Sequence, residues 1–388
     1  MIKKLLLIFT TVLTINLNSQ TVSTFSFNVN GTAPIGLTTA LDAAAQRWTK
    51  HISINIPIKV NLFFVNSSLL PFSAITLANG RTNFVGAPIT NHIYPTALAN
   101  QLAGLELNPG EYDMDIYVNL ATNYYFGTGK PTTSQSDFIS TIMHEIGHGL
   151  GFYSSGYVNS TNIGSFGNVP ASALAPITTS FPWHGQDGFP SIYDKYIIKQ
   201  SQNNLVGLAP NNTSTLGDSI KFRTNYFKGP VYANASNGGN PIKLSGGTGA
   251  FTLGVDLLHI HPTICGTIMS YCWGNGDTVR KPAAWEMGIL REIGWNPSTV
   301  GITENYAENH FNLYPNPAQD FVDISGENIE SVEFYTIHGQ LIKTETFTNN
   351  LNYIKLPISE LNEGIYLIRI NDRNAQSAFS RKLLINRR

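Results

Sequence analysis

Residues 138–150 read FISTIMHEIGHGL, and this stretch limits the possible folds more than any other. Ile139, Ile142, Met143, Ile146 and Leu150 recur at about 100° per residue, the period of a helix with one face on a core. His144 and His148 stand one turn apart and land on the opposite side of that helix. Two histidines belonging to the core would sit among the apolar residues; these are separated from them. Ser134 and Asp137 form an S-x-x-D start, so the spacing predicts a helix over about 135–149.

The polar side of this helix carries chemistry. H-E-x-x-H places two imidazoles where both can reach one ion, and neutral imidazole is the usual nitrogen ligand of Zn²⁺. A catalytic zinc keeps three protein ligands and one open position, and it lowers the pKa of a bound water towards about 7. Glu145, beside the first ligand, is placed to take that water's proton and pass it to a leaving amine. Two ligands leave a third to be found.

"GTIMSY" (266–271) resembles the methionine turn of the metzincin clan of zinc peptidases, with Met269 as that methionine. Tyr271 then matches the tyrosine that astacin- and serralysin-type members use near the metal to stabilise the transition state. Most of that clan places a third histidine three residues after the motif glycine. Here that position is Ser154, so the compact pattern is broken. The layout of Gly151, Phe152, a long insertion, then "LLHIHP" and Met269 resembles leishmanolysin-type members, whose third histidine comes from just before the methionine turn. "YPTALAN", "DFISTIMHEIGHGLGF" and "SIYDKYI" are also similar to secreted bacterial metalloproteases over most of residues 38–297.

His259 and His261 both answer the description of the third ligand. In an extended segment they project to one side, so periodicity does not separate them. His259 lies nearer the leishmanolysin-type distance from Met269 and is preferred. His261 precedes Pro262, which favours an extended backbone there, and is assigned to orienting its neighbour. His184, Asp187 and Asp194 are the remaining alternatives within the insertion. His51, His92, His310 and His338 read as ordinary surface or turn residues.

Around the motif, "LTTALDAAAQRWTKHI" (37–52) predicts an amphipathic helix, and "IPIKVNLFFV" (56–65) and "YDMDIYVNL" (112–120) predict strands. The stretch between those strands shows no strong periodicity. Short strand candidates, "IKFRTNYF" and "PIKLSG", interrupt the Gly-, Ser- and Asn-rich insertion, and "AAWEMGILREIGW" (283–295) predicts a further helix. These elements imply an α+β fold, a twisted sheet carrying the active-site helix, as the metzincin resemblance also implies.

From about His310 the texture changes to short alternating strands separated by turn residues, which argues a small β-sandwich. "YPNPA", Gly339 after a strand, and "ELNEGIYLIRI" resemble the C-terminal sorting domain of the type IX secretion system of Gram-negative bacteria. Such domains act as addresses, removed or lipid-conjugated at the surface, and do no chemistry. At the other end, "MIKKLLLIFTTVLTINLNSQ" has a basic start and an apolar run too short for a membrane span, the form of an export signal. The expected organisation is a signal peptide (1–20), a zinc metallopeptidase domain (21–298), a linker (299–309) and a sorting β-sandwich (310–388). No transmembrane segment is expected.

Charged residues make up only 13% of the chain and the formal net charge is -1, which gives no electrostatic footprint for nucleic acid. In an exported chain the two cysteines, Cys265 and Cys272, are most simply a disulfide around the segment carrying Met269. Together these features imply a secreted zinc endopeptidase that acts on proteins or peptides and is delivered by the type IX machinery. Two other classes fit the same residues: a surface adhesin on a degenerate peptidase scaffold, and a zinc-dependent amidase or esterase.

Overall fold

The computed structural model describes residues 24–65, 72–170, 188–222, 224–298, 312–337, 339–372 and 378–387. The expected signal peptide and linker, His184, Asp187, His310 and His338 lie outside them. The chain divides into two compact units, Met1–Ser298 and Thr299–Arg388.

The first unit is a mixed α and β structure built on a four-stranded sheet. Its elements are β1 (Phe25–Asn30), α1 (Leu37–Thr49), β2 (Ile58–Val65), β3 (Ala74–Ala78), α2 (Thr96–Ala103), the strand Met114–Asn119, and α3 (Phe138–Leu150). β1, β2 and 114–119 run parallel in that order, and β3 closes the sheet antiparallel to 114–119. Parallel strands need crossovers, and α1 supplies the first of them. Ile58, Val60 and Leu62 alternate inward with Met114, Ile116 and Val118, all fully buried.

α3 lies in the core. Ile139, Ile142, Met143, Ile146 and Leu150 are fully buried, as the apolar stripe requires, but so are residues elsewhere around the helix. Trp48 of α1 donates its indole N–H to the Met143 carbonyl at 3.2 Å. Trp295 does the same at the far end, to Leu150, at 2.7 Å. The expected Ser134 start is corrected. The helix begins at Phe138, and Asp137 is the cap, accepting from the Ser140 N–H at 3.0 Å. Asp137 wins because Arg280 pairs with the same carboxylate and fans out to the carbonyls of Gly127, Thr128 and Gly129. An ion pair fixes the helix entry, which a serine hydroxyl cannot do.

The helix ends at Gly151, whose φ of 127° suits glycine, and a Cβ there would meet the Ile293 side chain at 2.5 Å. Beyond it come the short strands Gly156–Val158, Gly164–Phe166 and Ile197–Lys199, then α4 (Ser214–Lys221), the short strands Asn225–Phe227 and Ile242–Lys243, and α5 (Ala284–Ile293). The strand expected over 220–227 is therefore confined to Asn225–Phe227, its first two residues, Ile220 and Lys221, being the end of α4.

Among its described residues the second unit has five antiparallel strands: Asn312–Tyr314, Phe321–Thr336, Leu341–Pro357, Gly364–Asp372 and Ala378–Ile385. Register shifts bend the long pair 321–336 and 341–357, as bulges do. The result is a β-sandwich close to a barrel, filled by Val322, Ile324, Val332, Phe334, Ile354, Ile368, Ile370 and Leu383.

Candidate metal centre

α3 brings His144 and His148 to one spot, and His259 arrives there from the segment before Met269. The three Nε2 atoms lie 3.0 Å (144–148), 3.0 Å (144–259) and 3.2 Å (148–259) apart. Edges of that length suit three nitrogens each about 2.0–2.1 Å from one ion. The other ring nitrogens settle the tautomers. His144 Nδ1 donates to the Ile268 carbonyl at 2.6 Å, His148 Nδ1 to Phe152 at 2.6 Å, and His259 Nδ1 to Val255 at 3.1 Å. Carbonyls only accept, so each Nδ1 carries the proton and each Nε2 presents a lone pair.

Burial removes any proton that could bridge those lone pairs. Desolvation lowers His144 to about 4 and His148 to about 3, helped at His148 by His144, and drives His259 well below the ordinary imidazole range. Three neutral acceptors converging with no hydrogen between them repel one another unless a cation joins them. The donor set can hold a metal.

His259 reaches the site by a turn. Residues 253–258 are turns rather than a strand, and Leu257, fully buried, takes a φ of 71°. Leu257 and His259 both pair with Ser245, through Leu257 N–H to its carbonyl and Ser245 N–H to the His259 carbonyl. Residues 259–261 themselves pair antiparallel with 243–245, bridged at Ile260 and Leu244, as the expected extended segment requires. His261 lies outside the cluster, its Nδ1 2.9 Å from Thr263 Oγ1. Asp194 is also elsewhere. It is buried and accepts from Ser154 Oγ (2.5 Å), Ser155 N–H (2.9 Å), Ser155 Oγ (2.7 Å) and Ser191 N–H (2.8 Å). Ser154, where a compact motif has its third histidine, serves this carboxylate instead.

Glu145 is buried, and burial raises its carboxyl to about 7, against the hydrogen bond from Thr76 that lowers it. Thr76 Oγ1 lies 2.7 Å from Glu145 Oε2 and 2.9 Å from the Glu145 carbonyl. A carboxyl poised near neutrality is suited to taking and returning a proton. Glu145, the three histidines and β3 line one cavity of ≈ 120 Å³, with Phe152, Val169, Leu253 and Leu258 forming apolar wall. β3 contributes more than Thr76. Ser73 and Asn79 bond to the neighbouring strand at Asn119 and Asp113, so by alternation Ala74, Thr76 and Ala78 turn their peptide groups to the free edge. Among the described residues no strand covers that edge.

The floor of the site is the turn that carries Met269. A Cβ on Gly147 would lie 2.4 Å from Met269 Sδ, so the turn packs against α3 between the two histidines. Tyr271 is 45% exposed, its ring 5.4 Å from that of His259 and its hydroxyl 3.4 Å from Ser245 Oγ. Cys265 and Cys272 form a disulfide that spans this turn. The sequence offers no sign of β3 with Thr76 or of the carboxylate Glu286, and it presents Asp194 only as an alternative ligand, whereas Asp194 is the buried acceptor for Ser154, Ser155 and Ser191. The signal for Asp194 was the run Ser154–Ser155 at a helix exit, which offers hydroxyls in need of an acceptor.

Residues 312–386 match the family described as the secretion system C-terminal sorting domain. The chain is therefore exported through the type IX system, to the cell surface or the extracellular space. Among the described residues no helix is long and apolar enough to cross a membrane. Residues 37–165 match the family described as SPBPB7E8-like. Over 75 residues the chain is 40% identical to an uncharacterized protein of Schizosaccharomyces pombe, a stretch covering 18% of this chain and 13% of that protein's length. A lytic polysaccharide monooxygenase of Jonesia denitrificans, solved by neutron crystallography, is 21% identical and aligns with 19% of this chain and 57% of its own, at a TM-score of 0.15.

Proposed function

We propose that the first unit is a secreted zinc-dependent endopeptidase of metzincin type, with His144, His148 and His259 as metal ligands. The observation that carries this is the convergence of three Nε2 lone pairs whose tautomers are locked by carbonyls behind them. Three imidazoles and no thiolate suit zinc, and three protein ligands leave a position open, the arrangement of catalytic rather than structural sites. Zinc held there supplies Lewis acidity, ionising a water near neutral pH and polarising an amide carbonyl.

The chain's own residues do the rest. Glu145 takes the proton of the attacking water on its carboxylate and returns it to the leaving amine, and Thr76 keeps that carboxylate aimed. The free edge of β3 supports a peptide chain over an amide or ester of a small molecule, because it offers main-chain donors and acceptors for an added strand. The apolar wall next to it excludes water from the reacting bond. Tyr271, half open beside His259, is placed to donate to the oxygen that becomes negative during attack. An adhesin on a dead scaffold has no need of Glu145 held beside three ligand histidines.

Glu145→Gln tests the reading. Zinc content is expected to remain, since the carboxylate is not a ligand, while turnover of a peptide falls by roughly 10²–10⁴. Near-normal turnover in the pure variant contradicts the assignment.

A further inference from the structure

The peptide group joining Ile268 to Met269 is engaged at both ends. Its carbonyl accepts from His144 Nδ1 at 2.6 Å, and its N–H donates to Glu286 Oε1 at 2.7 Å. Both atoms belong to one conjugated amide, so charge placed at the N–H raises the electron density on the oxygen. We propose that Glu286 is a positioning residue that acts on His144 through this single peptide, a carboxylate–peptide–imidazole relay strengthening His144 as a metal ligand. The proposal rests on the metal-site reading above.

Carboxylates that bond directly to a ligand histidine orient the ring and raise its basicity. Here one amide is interposed. Glu286 is fully buried at the third position of α5, and its second oxygen accepts from the Ala283 N–H at 2.6 Å. A helix cap of this kind needs only an acceptor, and glutamine serves as well as glutamate. Burying a charge is costly, and capping gives no reason to do so. Among the described residues no ion pair includes Glu286. Its carboxyl is pushed up to about 7 by burial and pulled back by backbone N–H groups, Met269 foremost. The charge is directed at the methionine turn.

His259 offers the internal comparison. Its Nδ1 donates to Val255, and the N–H at the other end of that peptide, Asp256, donates to the Thr252 carbonyl. A neutral acceptor stands where His144 has a carboxylate behind its peptide. The relay therefore makes His144 and His259 unequal.

The test uses the full-length protein and its Glu286→Gln variant at mildly alkaline pH. Imidazole N–H resonances are recorded by NMR with and without added zinc, and zinc affinity is measured by competition with a chelator. The variant is expected to move the His144 Nδ1 proton upfield while those of His148 and His259 hold their positions, and to weaken zinc about tenfold. An unmoved His144 proton with unchanged affinity overturns the relay. So does an equal movement of all three protons, which marks a general loosening of the site. If the wild-type protein binds no zinc, the metal reading falls, and the metal-free spectra still judge the relay. Should the variant not fold, the wild-type spectrum decides. His144 is expected furthest downfield of the three, and a position upfield of His259 overturns the proposal.

Discussion

Ser154 and His259 divide between them what a compact zinc motif gives to one residue. Ser154 donates to buried Asp194, and His259 supplies the third nitrogen from 108 residues further on than Gly151 (259 − 151 = 108). Closing so long a loop is tolerable because its entropic cost rises by only about 0.6 kcal/mol per doubling of length. Different consequences are expected from removing each. His259→Ala should weaken zinc by more than roughly 100-fold, whereas Ser154→Ala should keep its zinc and lose about 1–3 kcal/mol of stability through one missing bond to a buried carboxylate. Metal titration and thermal unfolding of both variants check this, and zinc loss in Ser154→Ala with retention in His259→Ala would reverse it. His144, Glu145 and His148 were legible in the sequence because a helix repeats every 3.6 residues and separates its faces. The route of His259 was not, since a buried leucine at positive φ is rare enough that no pattern announces it. Glu286 was equally hidden, for its partner is a backbone N–H, which leaves no mark in a sequence.

Among the elements, α1, β2, the strand 114–119, α3 and α5 follow from apolar periodicity alone. β3 does not. Five residues, AITLA, are too few to establish an alternation, and their role depends on standing at the sheet edge. α2 escaped for a related reason, being eight residues long with its buried positions run together rather than spaced by turns. Yet β3 holds the hydroxyl that steadies Glu145. Thr76→Val removes a hydrogen bond that favours the ionised carboxylate, so the Glu145 carboxyl, already raised by burial, rises further. If ionised Glu145 is the base, the acid limb of the kcat/KM profile moves to higher pH. A hydrogen bond to a charged group is worth about 1.5–3 kcal/mol, so the movement is on the order of one pH unit. An unmoved limb, measured against wild type with zinc content equal, separates Thr76 from the chemistry.

For the whole molecule, the two units have separate cores and separate tasks. The second is a secretion sorting domain, recognisable from sequence because turn motifs and alternating strands are local features. The first carries the proposed chemistry, and its divided motif is legible only when distant segments are brought together. Protein ending at Ser298, the boundary between the units, is expected to fold and keep its zinc, and to lose delivery to the surface when made in the producing cell. The most direct measurement of the central claim uses this same shortened protein. It is incubated with a complex peptide pool, with and without a zinc chelator, and new termini are read by mass spectrometry. The account predicts internal peptide-bond cleavage that the chelator abolishes and added zinc restores; cleavage indifferent to the chelator, or no cleavage by zinc-loaded protein, contradicts it.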